Sequence, residues 1–323
     1  MRKHHKLKIP DPALPQSRKE PLPWCYPKST DEDPHCQDKL QAILKSQSYV
    51  LGIQDIDFLE SSNARGLRLQ IDYLKPEHAL KAHGIHYTVV VFGSTRIVEP
   101  LVAQQKVDTL KTLLYKDKSN ALLMRQLKVA ERILAKSHYY DVARDFSALV
   151  ANSGNGPSDS RLVVMTGGGP GIMEAANRGA EDVNAKTVGL NITLPHEQFP
   201  NPYITPGLCF QFHYFSLRKM HFLLRARALI AFPGGFGTLD ELFETLTLIQ
   251  TRKINPMPIV LVGESYWQKI FDVEFMVEEG VIDMEDKELF WFAETAEEIW
   301  DGLEIWYQRN GGSLIMNNTS DDQ

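Results

Sequence analysis

The 323-residue sequence predicts an α/β protein built on a doubly wound parallel sheet. Three observations carry this. Apolar runs without alternation, such as Tyr87-Thr88-Val89-Val90-Val91-Phe92 and Ala228-Leu229-Ile230-Ala231-Phe232, have the character of strands buried on both faces. Stretches of helical spacing separate such runs, so strand and helix alternate along the chain. Three of the strands end in glycine turns, and parallel sheets bind ligands outside the carboxyl ends of their strands. The class is Rossmann-like, with a helical segment added ahead of the sheet.

Composition narrows the function. The chain is 43% hydrophobic and 24% charged, enough apolar material for a sizeable core in one large domain or two small ones. A net charge of -6 argues against nucleic acid as a partner. No stretch approaches the roughly 20 apolar residues that a membrane helix needs, so no membrane partner is expected. Cys25, Cys36 and Cys209 form no CxxC pair and no metal-ligand spacing, which suits thiols in a reducing compartment, although Cys25 and Cys36 could pair. The basic start Met1-Arg2-Lys3-His4-His5-Lys6 is followed by no apolar segment, so a secretory signal is not expected and the protein is expected in the cytoplasm.

Taken in order, residues 1–85 read as an arm rich in Pro, Lys, Asp and His followed by a helical extension. Residues 86–310 read as the Rossmann-like catalytic domain, and residues 311–323 as a flexible polar tail. Within the domain, strands are expected at Tyr87–Phe92, Leu162–Met165, Thr187–Leu194, around Cys209–Phe212, at Ala228–Phe232 and at Pro258–Val262. Two or three helices are expected across 100–152. Others are expected at Ile172–Asn184, between the later strands, and over Ala296–Gln308.

The chemistry concentrates where strands meet glycine. After Phe232 comes Pro233-Gly234-Gly235-Phe236-Gly237-Thr238-Leu239-Asp240-Glu241, then an apolar helical stretch. Free N–H groups and the positive end of a helix dipole make such a junction an anion site, and glycine lets the backbone approach a ligand. Glu241 is an unusual acid to find beside an anion. Thr238 and Glu241 also have capping-box spacing, worth roughly 1 kcal/mol of helix stability, and that structural alternative stands beside the functional one. Thr166-Gly167-Gly168-Gly169-Pro170-Gly171 lacks the third glycine of a dinucleotide fingerprint, since position 172 is Ile172. No Walker lysine follows any glycine loop either. Arg218-Lys219 sits on a helix that leads into the strand before Pro233, so a cation there can reach the same crevice.

Gly167–Glu174, Arg218-Lys219 and Pro233–Glu241 together resemble the LOG family of nucleoside 5′-monophosphate phosphoribohydrolases, many of them mislabelled lysine decarboxylases. The likeness covers roughly residues 86–305, and the Gly93-Ser94 turn and the Arg-Lys pair 23 residues before Glu241 match in order and spacing. It implies cleavage of the N-glycosidic bond to free base and ribose 5-phosphate, with no cofactor and no metal, in a homodimer. Pyridoxal-phosphate chemistry finds no lysine motif. On this resemblance Glu241 and Arg218 are the expected catalytic residues. Glu241 stabilises the ribosyl cation or orients water, and Arg218 orients Glu241 or helps the base leave. The phosphate is expected on the backbone of Gly234, Gly235, Gly237 and Thr238. Gly168, Gly169 and Gly171 are expected to hold ribose or complete that cradle, with Gly93, Ser94, Met173 and Lys219 nearby. Aromatic residues of Pro195–Phe215 could stack on the base. A non-catalytic nucleotide-binding protein is the alternative.

Overall fold

The computed structural model describes Pro12, Glu20, residues 27–195 and residues 199–315. Most of the expected N-terminal arm, including Cys25, and much of the expected tail lie outside the described residues. The chain divides into two units, Met1–Gly66 and Leu67–Gln323. The first carries two short helices, α1 (Cys36–Leu44) and α2 (Ile56–Glu60). Asp55 starts α2 by accepting a hydrogen bond from the Phe58 amide. The helix α3 (Arg65–Ala82) begins at the division.

The second unit is the predicted α/β body. Its strand β1 (Tyr87–Phe92) leads into α4 (Pro100–Lys116), α5 (Ala121–Leu134) and α6 (His138–Asn152) before the chain returns as β2 (Leu162–Thr166). Next come α7 (Ile172–Glu181), β3 (Thr187–Ile192), β4 (Cys209–Phe212), α8 (Phe215–Leu224) and β5 (Ala226–Ala231). The remainder runs α9 (Phe236–Gln250), β6 (Ile259–Val262), α10 (Glu264–Trp267), α11 (Val273–Glu278), β7 (Trp291–Ala293) and α12 (Ala296–Arg309). Six strands fall where the apolar runs place them. The edge strand β7 escapes the sequence pattern: it is three residues long, only its last residue is buried, and its Trp-Phe-Ala is too short for a period to show.

All seven strands are parallel, in the order β4-β3-β2-β1-β5-β6-β7. Alternate side chains feed two cores. Val89, Val91, Val164 and Ile230 pack with residues of α6, α7 and α12, whereas Val90, Phe92, Met165 and Leu229 pack with Leu80 of α3, Phe222 of α8, Leu242 of α9 and Trp267 of α10. Helices therefore cover both faces, which is why the strands read as continuous apolar runs. The chain winds in opposite directions from β1 and β5, so a crevice opens at their carboxyl ends. The expected site motifs converge there.

Candidate active site

The backbone of Ser94 joins the three glycine turns. Its N–H donates to Pro233 O at 3.0 Å after β5, and its C=O accepts from the Ile172 N–H at 3.2 Å at the start of α7. Close packing fixes the glycines that make this possible. A Cβ on Gly93 would lie 2.6 Å from Ile172, and one on Gly171, whose φ is +73°, would lie 2.4 Å from Ser94 O. On Gly234 it would meet the Thr238 hydroxyl at 2.0 Å.

Gly235 and Gly237 differ: nothing lies within 4 Å of a Cβ built on either, and both line a cavity of about 650 Å³. Protein packing does not demand glycine at these two positions. The helix α9 starts at Phe236, with Gly235 extended as its N-cap and no side chain capping it. The capping-box alternative for Thr238 and Glu241 is thereby corrected. The helix begins earlier than the apolar pattern suggests, so Thr238 lies inside its first turn and Glu241 in its second. Among the described residues no hydrogen-bond acceptor is recorded for the amides of Gly234 to Thr238, and they flank the cavity. That leaves a row of donors at a helix N-terminus, an anion site.

Of the expected site residues, Gly93, Ser94, Met173, Arg218, Gly234, Gly235, Gly237, Thr238 and Glu241 line this cavity together. Gly168, Gly169 and Gly171 do not line it, whereas Gly167 does. The carbonyls of Gly168 and Gly169 instead accept from the backbone and side-chain amides of Asn201, at 2.9 and 3.0 Å. Asn201 in turn donates to the buried Asn177, which also accepts from the Thr166 hydroxyl at 2.7 Å. This network fixes the turn, and Gly167 then sits between Met173 and Arg218. Lys219 is not part of the lining; its Nζ lies 3.0 Å from Asp240 and 2.9 Å from Glu244, tying α8 to α9. Of the aromatic residues in the Pro195–Phe215 stretch, Phe215 reaches the cavity, while Phe210 and Phe212 are core.

The electrostatics single out one group. Glu241 is 6% exposed, and burial pushes its carboxyl up to about 7 despite the opposing pull of Arg218 and Lys219. Burial also lowers Arg218, against Glu241 and Asp240. The Arg218 guanidinium lies 5.5 Å from the Phe215 ring centre and 5.3 Å from that of Phe222, and its Nε has no hydrogen-bond partner among the described residues. A half-buried cation with a free donor and a carboxyl that changes charge near neutrality thus face one cavity. Perturbed groups in a cleft are the usual mark of a reacting site.

Sequence reasoning passes over several polar lining residues, among them Arg96, Arg132, Lys136 and Tyr266. The Tyr266 hydroxyl donates to Gly234 O, bracing the turn from α10. Arg132 and Lys136 stand four residues apart, a spacing that places them on one side of the α5 end but equally describes a solvated helix face.

Residues 173–303 match a family model described as "possible lysine decarboxylase". Cytokinin riboside 5′-monophosphate phosphoribohydrolase LOG3 of Arabidopsis thaliana is 29% identical over 174 residues, 52% of this chain and 76% of that protein. The chain is thus similar to LOG enzymes over three quarters of the length of LOG3. The probable enzyme of the same name LOGL3 from Oryza sativa subsp. japonica is 36% identical over 89 residues, 27% of this chain and 42% of its own. Among solved structures, that of the structural-genomics target TM1055 is 19% identical, with a TM-score of 0.40, covering 68% of this chain and 99% of that one. The seven parallel strands form the α/β architecture that the sequence predicts. Among the described residues no helix is long and apolar enough to cross a membrane.

Proposed function

We propose that this chain hydrolyses the N-glycosidic bond of a nucleoside 5′-monophosphate, AMP-like or a cytokinin riboside monophosphate, releasing base and ribose 5-phosphate. The observation that carries it is Glu241: a buried carboxyl with a pKa of about 7, one turn along the helix from an open row of amide donors. The amides of Gly235 to Thr238 anchor the 5′-phosphate, which holds the sugar by interactions remote from the bond that breaks. As the bond to the base lengthens, positive charge grows on the ribosyl ring, and the Glu241 carboxylate faces it. Water then adds at the anomeric carbon and gives its proton to Glu241. The base takes up a proton from solvent as it leaves, Glu241 returns the one it received to solvent, and the neighbouring Arg218 tunes Glu241 from α8. The names of the curated relatives support the same reaction.

The family likeness also supports a homodimer, and the unpaired thiols described at Cys36 and Cys209 suit a cytoplasmic setting. Residues 86–310 carry the chemistry in this reading. The test is chromatographic detection of free base and ribose 5-phosphate from a panel of nucleoside monophosphates. Glu241→Gln is expected to bind nucleotide and release no ribose 5-phosphate, while near-normal turnover in that variant would remove Glu241 from the mechanism. A wild-type chain that binds nucleotides without releasing base would be the non-catalytic carrier instead.

A further inference from the structure

The crevice has two walls of unlike charge. From the layer that carries α8 and α9 come Arg218, Asp240 and Glu241. From the loop after β1 and the end of α5 come Arg96, Arg132 and Lys136. Among the described residues none of these three cations has a carboxylate within salt-bridge distance, and Lys136 Nζ donates only to Arg132 O at 3.3 Å. Asp240 is already engaged by Lys219. Four cations therefore line the cavity against two carboxylates, Asp240, which shares Lys219 with Glu244, and Glu241, whose own ionisation is held back by burial.

A single phosphate does not account for that surplus. A phosphomonoester carries about 1.5 to 2 negative charges at pH 7. The amide row and the dipole of α9 already satisfy its oxygens. The excess of positive charge continues in the adjoining cavity, which shares Arg96, Val129 and Ile133 with the first and adds Lys106 and Arg125 without any acid.

Building on the placement of the substrate phosphate at the α9 amides, we propose that Arg96, Arg132 and Lys136 form a subsite for a second phosphoryl group. Nucleoside 5′-diphosphates then occupy the crevice in competition with monophosphates. The α-phosphate takes the amide row, and the β-phosphate lies against the three cations. Arginine suits this contact because its fixed fork gives two charge-assisted hydrogen bonds to one phosphoryl group.

Calorimetry on the full chain carrying Glu241→Gln, which blocks turnover, tests this with AMP against ADP, CMP against CDP, and orthophosphate against pyrophosphate. In each pair the diphosphate is expected to bind at least tenfold more tightly. Arg132→Gln at the end of α5 with Lys136→Gln in the turn that follows it is expected to bring each ratio to about one, with Arg96→Gln moving it in the same direction. Parent ratios near one, or an equal loss for both members of each pair, would overturn the subsite, the second result placing the cations on the single phosphate. Failure of both inorganic anions to bind would overturn it too. Because binding alone is read, a chain that never releases base still shows whether the second phosphate is held.

Discussion

Replacing Glu241 by glutamine is expected to make the protein more stable while removing its activity, and by an amount that depends on pH. The carboxyl is 6% exposed and its pKa rises from 4.5 to about 7, chiefly through burial. One unit corresponds to about 1.4 kcal/mol. The sign follows from proton counting. Between pH 4.5 and 7 the unfolded chain has released this proton and the native chain keeps it, so this group's contribution to stability falls as pH rises, then levels off above about 7. The raised pKa thus costs about 1 kcal/mol at pH 5, where folding must take up a proton, and about 3 kcal/mol at pH 8, where the buried side chain is ionised. Glutamine has nearly the same shape and no charge. Urea denaturation should therefore show Glu241→Gln gaining roughly 2 kcal/mol more, relative to wild type, at pH 8 than at pH 5. Any packing or hydrogen-bonding change from the amide enters both values and cancels in the difference. An identical effect at the two pH values would refute the desolvated carboxyl and with it the reason for expecting a base there.

Three further outcomes follow from the same geometry. Below its pKa a base at Glu241 limits turnover, so kcat should rise about tenfold per pH unit up to about 7 and then level. Arg218→Gln, which removes a charge that lowers that pKa, should move the midpoint to higher pH, and an unmoved midpoint would separate the two residues. Gly237→Ala meets no atom within 4 Å and replaces a poor helix former, so it should stabilise α9 by up to about 1 kcal/mol, yet weaken AMP binding at least tenfold by filling ligand space. Binding left intact in that variant would move the phosphate off the amide row. Adenosine should be a poor substrate beside AMP in the base-release assay, and equal rates would remove the phosphate anchor.

What the sequence makes legible is what the backbone alone dictates. Unalternating apolar runs have few readings other than buried parallel strands, and six of seven are found from them. Glycine after a strand is likewise plain, but its cause is not. Gly171 is glycine because Ser94, distant in sequence, lies 2.4 Å from where its Cβ would be, while Gly237 is glycine with nothing near it. Only three dimensions separate a glycine that packing requires from one that it does not. The same holds for Gly168 and Gly169, whose carbonyls are taken up by Asn201 from a loop that carries no motif. Arg132 and Lys136 are illegible for a different reason. Cations four residues apart on a helix describe a solvated surface unless another layer of the fold is known to face them.

The burial of Glu241 shows how such a site must be set. Fully solvated, the carboxyl would keep its ordinary value of 4.5 and be a weak base at neutral pH. Buried with no cation near, it would stay protonated and present no charge to a ribosyl cation. Arg218 and Lys219 pull its pKa back toward neutrality, and Lys219 does so while its ammonium is shared between Asp240 and Glu244. The Arg218 guanidinium lies over the rings of Phe215 and Phe222 and makes no ion pair with Glu241 among the described residues, so it acts through space while its Nε stays free of any described partner. A direct Arg218–Glu241 bridge would instead lock the carboxylate in its charged form and tie up its oxygens. An acid meant to exchange a proton with water needs a cation close enough to tune it and too far away to satisfy it, and the two helices α8 and α9 set that separation.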